Sequence, residues 1–508
     1  MLFRFRAFAR ATRFGAVAEA LIVAVPLSAC AVGPNFSRPA PPDDAGYTPK
    51  PLPDKTVSAP TQAGGAEKLV MNRDIPFEWW ELFHSPALDS LVKKSFAANP
   101  TLPAAEAALR QAKELVAAQQ GFFYPSLTGG ASASRSQTGS TLSPATANGT
   151  FLYNLYAAQL NVSYTPDVFG ANRRQVESLD AQASIQRFQL EATYITLATN
   201  VVSAAVTEAS LRGQIAATKE IIDQDTKALR ILKDQFRLGY AMRIDVAAQE
   251  AALAQAEATL PPLEKAFEQN RDLLRVLVGN LPNEDIAEKF DLDSIQLPQE
   301  LPVSLPSKII DQRPDVRAAE EAIRSANAQV GVAIANRLPQ FSITGSYGAT
   351  STMWSSLFSP AGAFWTIVGG VSQPIFDGGT LLHRERAADE ALMQAAYQYR
   401  STVLTGYQNV ADTLHAVVSD ADALKADFAS EEAAKVTLDL THKQQQVGYV
   451  DYLTLIQAEL AYQQAKLTLV QAQAARLGDA AALFQALGGG WWNRKDDVAN
   501  KAANATAN

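Results

Sequence analysis

A single cysteine, Cys30, stands in a chain of 508 residues. One thiol cannot build an intramolecular disulfide framework or a cysteine-based zinc site. Histidine is almost as scarce: His84, His383, His415 and His442 are scattered singly, so a histidine metal cluster is not expected. A surplus of positive charge is missing too. The formal net charge is −8, which argues against nucleic acid as a main partner. No nucleophile with a convergent acid/base pair stands out, and the phosphate-binding pattern GxGxxG is absent. Gly378-Gly379 lies between a strand pattern and a helix pattern and reads as a tight turn. Beyond the N-terminus no segment has about 18 consecutive apolar residues, so no transmembrane helix is expected. If the chain crosses a membrane, it must do so as a closed β-barrel.

What is present begins with the leader. Arg4, Arg6, Arg10 and Arg13 precede an apolar run from Ala16 to Leu27, broken once by Glu19 and ending in LSAC, Leu27 to Cys30. A basic head, a short apolar body and small residues before the cut describe a secretory signal peptide over 1–29; a short amphipathic anchor is the alternative. The cysteine directly after Leu-Ser-Ala favours a lipoprotein signal, in which the Cys30 thiol is acylated and becomes residue one. Removing 1–29 takes four arginines and one glutamate, leaving 40 basic against 51 acidic residues, about −11. Residues 30–72, rich in Pro, Gly, Ala and Asp, read as an extended tether with little core of its own. A C-terminal tail, 490–508, reads as disordered after Trp491-Trp492.

Between these ends the chain repeats itself. RLGYAMRIDVAAQE, Arg237 to Glu250, is echoed by QVGYVDYLTLIQAE, Gln446 to Glu459. Gly239 returns as Gly448, Tyr240 as Tyr449, Glu250 as Glu459 and Gly279 as Gly488, at one offset. Pro100, Glu106 and Pro125 return as Pro314, Glu320 and Pro339 at another. The chain is therefore two copies of one unit, 73–280 and 313–489, joined by a linker over 281–312. Each copy opens with a helix that a proline closes.

After each closing proline the period changes. Phe341, Ile343, Gly345, Tyr347 and Ala349 alternate with Ser342, Thr344, Ser346, Gly348 and Thr350, giving a strand with one apolar and one small polar face. Each copy holds one β-hairpin, over 124–166 and 339–376. Tyr153, Tyr156, Tyr164, Tyr347, Trp354, Phe358, Phe364 and Trp365 belong to these regions, as aromatics do at the interfaces of a lipid-facing barrel; a water-soluble β-sandwich edge is the alternative. Next comes a proline-free helical run of about 65 residues, about 100 Å at 1.5 Å per residue. Returning helices span Ile244–Val278 and Tyr452–Leu487, and Pro261-Pro262 is expected to break or kink the first. Gly239 and Gly448 mark the tips at which each long helix folds back.

Four strands cannot close a barrel, which needs about eight. Open edges in lipid are forbidden, so the chain is expected to oligomerise until its strands close. Two copies give a filled barrel, three a lumen. A tube continued by long helices has conduction as its natural task.

At this point the residues carry a resemblance. CAVGPNFSRP, Cys30 to Pro39, and EWWELFHSPALDSLV, Glu78 to Val92, resemble the mature N-terminus of outer-membrane-factor lipoproteins, and the two glycine-centred tips resemble those of TolC-like channels. The chain is most similar to the NodT type of efflux outer-membrane lipoprotein. That resemblance implies an α+β membrane channel: a homotrimeric channel-tunnel with a twelve-stranded transmembrane β-barrel, four strands per chain, continued by a long periplasmic α-helical barrel, with 281–312 at its equator. It implies an outer-membrane location and docking onto a periplasmic membrane-fusion adaptor and an inner-membrane pump of the resistance-nodulation-division type. Drugs, toxic compounds or metal ions would leave the cell through it. Similar tunnels serve type I protein secretion, but the lipoprotein start favours efflux; a soluble periplasmic coiled-coil adaptor would share the helical hairpins but lack two aromatic-bearing β-hairpins at matched positions. No cofactor is implied beyond the covalent lipid on Cys30. In that family carboxylates at the tip gate the pore, and Asp245 falls on a family aspartate position. The family's Val-Asp-Val-Leu-Asp-Ala is matched here by LTLIQA, with Thr454 and Gln457 at the acidic positions, so Asp451 is the candidate for a carboxylate ring, with Arg243 as a charged neighbour. Leu238, Gly239, Val447 and Gly448 are candidates for adaptor docking.

Overall fold

The computed structural model describes residues 31–40, 46–139 and 151–494. Helices α1 (Pro86–Ala98) and α2 (Thr101–Gln120) lead into strands β2 (Ser126–Thr138) and β3 (Phe151–Tyr164), with β1 (Lys68–Met71) before them. The long α3 (Ala171–Arg237) and the returning α4 (Arg243–Leu277) follow. Then β4 (Glu300–Val303) and α5 (Pro306–Gln312) precede the second copy: α6 (Pro314–Ala335), β5 (Gln340–Ser351), β6 (Ala363–Ser372), α7 (Thr380–Gln446) and α8 (Tyr452–Ala486). The copies match in length: α3 and α7 each have 67 residues, and α4 and α8 each have 35.

The repeat extends to individual contacts. Leu277 and Ala486, at equivalent positions near the ends of α4 and α8, each leave a carbonyl oxygen needing a donor. Asn99 Nδ2 reaches Leu277 O at 2.9 Å, and the equivalent residue Arg313 reaches Ala486 O through Nη1 at 2.8 Å. Beyond those helices Gly279 and Gly488 lie at positive φ, with a Cβ on either blocked at 2.5 Å by Ala98 O and at 2.4 Å by Gln312 O. Different side chains thus make one contact in both copies, which only the duplicated backbone explains.

Two compact units are present. The first comprises the described parts of 1–39, 109–186 and 319–399. It contains the antiparallel sheet β2-β3-β5-β6. Pairing Leu127 with Val162, Leu160 with Tyr347, Tyr347 with Trp365 and Gly345 with Ile367 puts these apolar side chains on one face. Ser126, Thr128, Asn161, Ser163, Thr344, Ser346 and Thr366 share the other. Both faces are open in the single chain, and large apolar side chains stand exposed on the first: Leu127 is 65%, Tyr347 64%, Trp365 72% and Ile367 72% accessible. Strands β2 and β6 are the sheet's edges. In the same unit residues 31–38 are strapped down. Arg174, on α3, donates from Nε to Val32 O at 3.1 Å and from Nη2 to Asn35 Oδ1 at 2.8 Å. Gly33 lies against Gly331 so closely that a Cβ would stand 2.5 Å from its Cα.

Where β6 leads into α7, Asp377 accepts from Gly379 N at 2.9 Å and Leu381 N at 2.8 Å. The Gly378-Gly379 turn is therefore filled by its own carboxylate, as a helix cap rather than a phosphate cradle.

The second unit, the described parts of 40–108, 187–318 and 400–508, has the aromatic core. Trp79, Trp80, Phe83, Leu88 and Leu91 are buried, and Trp79 stacks on Phe484 at 5.2 Å. Three sequence expectations change here. Of the break or kink expected at Pro261-Pro262, the break is absent, and α4 runs through both prolines. Both are exposed, so the carbonyls of Glu257 and Ala258 that lose their N–H partners face water, while the buried stripe Ala252, Ala256, Asn270 and Leu274 holds the helix together. The 46–72 stretch is more than a tether: β1 pairs in parallel with β4, inside the segment read as linker, and Glu67 is buried against Arg476. Residues 490–494, read as the start of the tail, are fixed by Trp491 Nε1 to Gln312 O at 2.7 Å and Arg494 Nη2 to Glu191 Oε1 at 2.5 Å. The remainder of the tail, the leader and Cys30 lie outside the described residues.

Burial pushes the Glu67 carboxyl up to about 7 even though Arg476 opposes it at 2.5 Å. Removing one partner of such a pair strands the other. Arg476→Ala is expected to lose about 3 kcal/mol by thermal unfolding in detergent, and Glu67→Gln added to it is expected to recover part of that loss. Equal stability of wild type and Arg476→Ala would refute the account.

Candidate gate at the hairpin tips

The two tips have the same backbone geometry. At the first, Gly239 (φ +79°) donates to Phe236 O at 3.0 Å and Tyr240 N to Gln235 O at 2.8 Å. At the second, Gly448 (φ +74°) donates to Gln445 O at 3.0 Å and Tyr449 N to Gln444 O at 2.8 Å. Paired bonds of this kind end a helix on a left-handed residue, a conformation that glycine adopts without strain. No atom outside the adjacent chain lies within 4 Å of a Cβ placed on either glycine. Leu238, Tyr240, Val447 and Tyr449 project with 68%, 83%, 81% and 81% of their surface exposed.

The candidate carboxylates serve the starts of the returning helices. Asp245 Oδ2 accepts from Met242 N at 3.0 Å. Asp451 is the N-cap of α8, accepting from Thr454 N at 2.8 Å and Thr454 Oγ1 at 2.5 Å. The hydroxyl bond first, then the amide bond, hold the Asp451 carboxyl below its usual range. Thr454, at one of the family's acidic positions, thus supports the carboxylate three residues earlier. Arg243 joins neither aspartate. It lies 3.5 Å from Glu250 Oε2, while Lys233 holds Glu250 Oε1 at 2.9 Å.

Further from the tip is a buried polar cluster that the sequence reading passed over. Tyr452 Oη donates to Gln249 Oε1 at 3.1 Å, and Gln249 Nε2 donates to Asp225 Oδ1 at 3.3 Å. Gln463 also bonds the Asp225 carboxyl. Asp225 Oδ2 and Glu459 Oε2 are buried without a partner. Burial, reinforced by the Asp225 charge, pushes Glu459 up to about 7. The cluster ties α3, α4 and α8 together. A sequence signal existed: Glu459 is the repeat counterpart of Glu250, and the second copy offers no Lys or Arg in α7 at the place of Lys233, since position 442 is His.

An exposed apolar sheet face with a polar face behind it, joined to paired helical hairpins, defines the subunit of a channel-tunnel. The family model for outer membrane efflux proteins matches residues 91–280 and 305–489, one match per repeat, and the chain belongs to that family. It is 27% identical over 487 residues to the probable efflux pump outer membrane protein TtgC of Pseudomonas putida, covering 95% of this chain and 97% of that one. Against the cation efflux system protein CusC of Escherichia coli O6:H1 it is 26% identical over 475 residues, covering 92% and 97%. The solved outer-membrane channel OprN superposes with a TM-score of 0.80 at 26% identity, covering 91% of this chain and all of that one. The chain is an outer-membrane efflux channel with a TolC-like α+β fold, and belongs to a family of conduits rather than enzymes.

Glu459 gives this region a pH dependence. An unshifted carboxyl titrates near 4.5 and the folded one near 7, so the folded hairpin holds an extra proton between those values. Packing of α8 is therefore favoured at low pH and weakens as pH rises through 7. Hydrogen exchange of α8 amides, corrected for intrinsic rates, is expected to be slower at about pH 5.5 than at about pH 8, and Glu459→Gln is expected to flatten that difference. An unchanged difference in the variant would rule Glu459 out as the cause.

Proposed function

We propose that three copies of this chain close a twelve-stranded barrel in the outer membrane, continue it as a periplasmic helical tunnel, and serve as the exit duct of a tripartite efflux pump. The observation that carries the trimer is the open sheet: its apolar face is exposed and its two edge strands, β2 and β6, need partners. Backbone donors and acceptors cannot stay unpaired in lipid. Twelve strands leave a lumen where eight would fill. A lipid on Cys30 anchors the assembly, and the Arg174 strap fixes the chain immediately after it.

Leu238, Gly239, Val447 and Gly448, with Tyr240 and Tyr449 beside them, form the docking tips for the adaptor, whose inner-membrane partner is a pump of the resistance-nodulation-division type. Exposed apolar side chains flanking a bare glycine turn suit a partner that lays a helical end across them. Asp245, Asp451 and Arg243 stand among the charged groups of the tips and contribute to gate closure and ion preference. Small solutes are the cargo. CusC is named for cations and TtgC for a probable efflux pump, and the Ser, Thr and Asn side chains of the polar sheet face discriminate little by charge.

Replacing Leu238 and Val447 together by Asp is expected to lower export about tenfold, the loss of one strong contact, while the detergent-extracted particle keeps a three-chain mass. Unimpaired export would remove the tips from docking, and a one-chain native mass of the wild type would overturn the barrel itself. Asp451→Ala is expected to raise resting conductance in planar bilayers and to weaken cation preference. Identical traces would end its gating role.

A further inference from the structure

Across β2, β3, β5 and β6 a single residue bears a formal charge, Arg135. Its place in the register is specific. Arg135 pairs with Asn154, and two residues back Ala133 pairs with Tyr156. Continuing along the same face, Leu127 pairs with Val162 and Gly129 with Leu160. Arg135 therefore stands on the apolar, lipid-facing side of the sheet, not on the polar side that lines the lumen. It is exposed, and no ion pair to a carboxylate is found for it among the described residues.

Its height on that face is equally defined. Tyr156 packs edge-on against Trp354 at 5.7 Å, an aromatic pair of the kind that marks a membrane–water interface. Arg135 lies two residues further, about 7 Å along the strand, at the end that leads away from α2 and α3. With the helices in the periplasm, that end faces the cell exterior. A charge in the hydrocarbon would be costly, but one just beyond the aromatic band meets lipid headgroups. Its aliphatic stem can cover apolar surface while the guanidinium reaches outward. Guanidinium matches phosphate with two parallel hydrogen bonds, and the Asn154 amide beside it supplies another donor.

We propose that Arg135, with Asn154, binds a phosphate of an outer-leaflet lipid headgroup, one site per chain. The site lies on the β2 edge strand, so the lipid would sit over the seam where this strand meets its neighbour in the closed barrel. This goes beyond the duct reading and rests on it for the closed barrel and for which end of the sheet faces out.

The test uses the full-length channel in detergent, with bisphosphorylated lipid A, the same lipid dephosphorylated, and inorganic phosphate, read by native mass spectrometry. Wild type is expected to retain the phosphorylated lipid about fivefold better per site than Arg135→Ala, the effect of one cation at a membrane surface, with Arg135→Lys intermediate. The dephosphorylated lipid is expected to bind both alike. Equal retention by wild type and Arg135→Ala, no preference for the phosphorylated lipid, or complete displacement by millimolar inorganic phosphate would each overturn the proposal. Fractionation of Arg135→Ala with the outer membrane and an unchanged three-chain mass separate this outcome from failure of the duct reading.

Discussion

Everything in this chain is subordinate to one demand: inside a bilayer, no peptide group can be left without a hydrogen-bond partner. A four-stranded sheet with apolar side chains outward meets the demand along its interior ladders and fails it along two edges. Among the described residues no further strand is at hand as a remedy, because β1 and β4 pair with each other in the other compact unit. In the duct proposed above, oligomerisation is a condition of membrane insertion rather than an addition to it. In the closed barrel proposed above, the Gly, Ser and Thr of the polar face would leave the enclosed space open.

Duplication supplies the scaffold, and divergence within it supplies the chemistry. Gly239 and Gly448 end their helices through the same two hydrogen bonds, whereas Glu250 and Glu459 at matched positions meet opposite environments. Lys233, then Arg243, hold Glu250 below its normal range, while burial and Asp225 raise Glu459. Asn99 and Arg313 reach equivalent carbonyls with different side chains. Where the backbone requires a feature, both copies keep it. Where only side chains are concerned, the copies are free to differ, and the two tips need not respond alike.

The long helices and strand faces were legible because each is written as a period: apolar residues at three and four in Leu190, Tyr194, Leu197 and Val201, and at two in Phe341, Ile343 and Tyr347. Tip glycines were legible because the repeat exposed them. What escaped was whatever depends on distant partners. Nothing local in Glu67 announces Arg476, and nothing local in Trp491 announces the carbonyl of Gln312. Pro261-Pro262 misled because propensity counts a missing N–H as fatal, whereas water can take up the released carbonyls on an exposed helix face. At the candidate gate, Asp245 and Asp451 were visible as residues. Their use as helix-start acceptors was not, and the Arg243–Glu250 pairing required the fold.

The equal lengths of α3 and α7, and of α4 and α8, act as a manufacturing tolerance. One residue inserted into a long helix displaces everything beyond it by about 1.5 Å and turns it by about 100°. A single insertion in α3 would leave its tip proud of the α7 tip and rotate Leu238 away from its bearing, unless α4 grew by the same amount and the second copy followed. Length change in the hairpins of such a chain is thus confined to whole-turn steps made in concert.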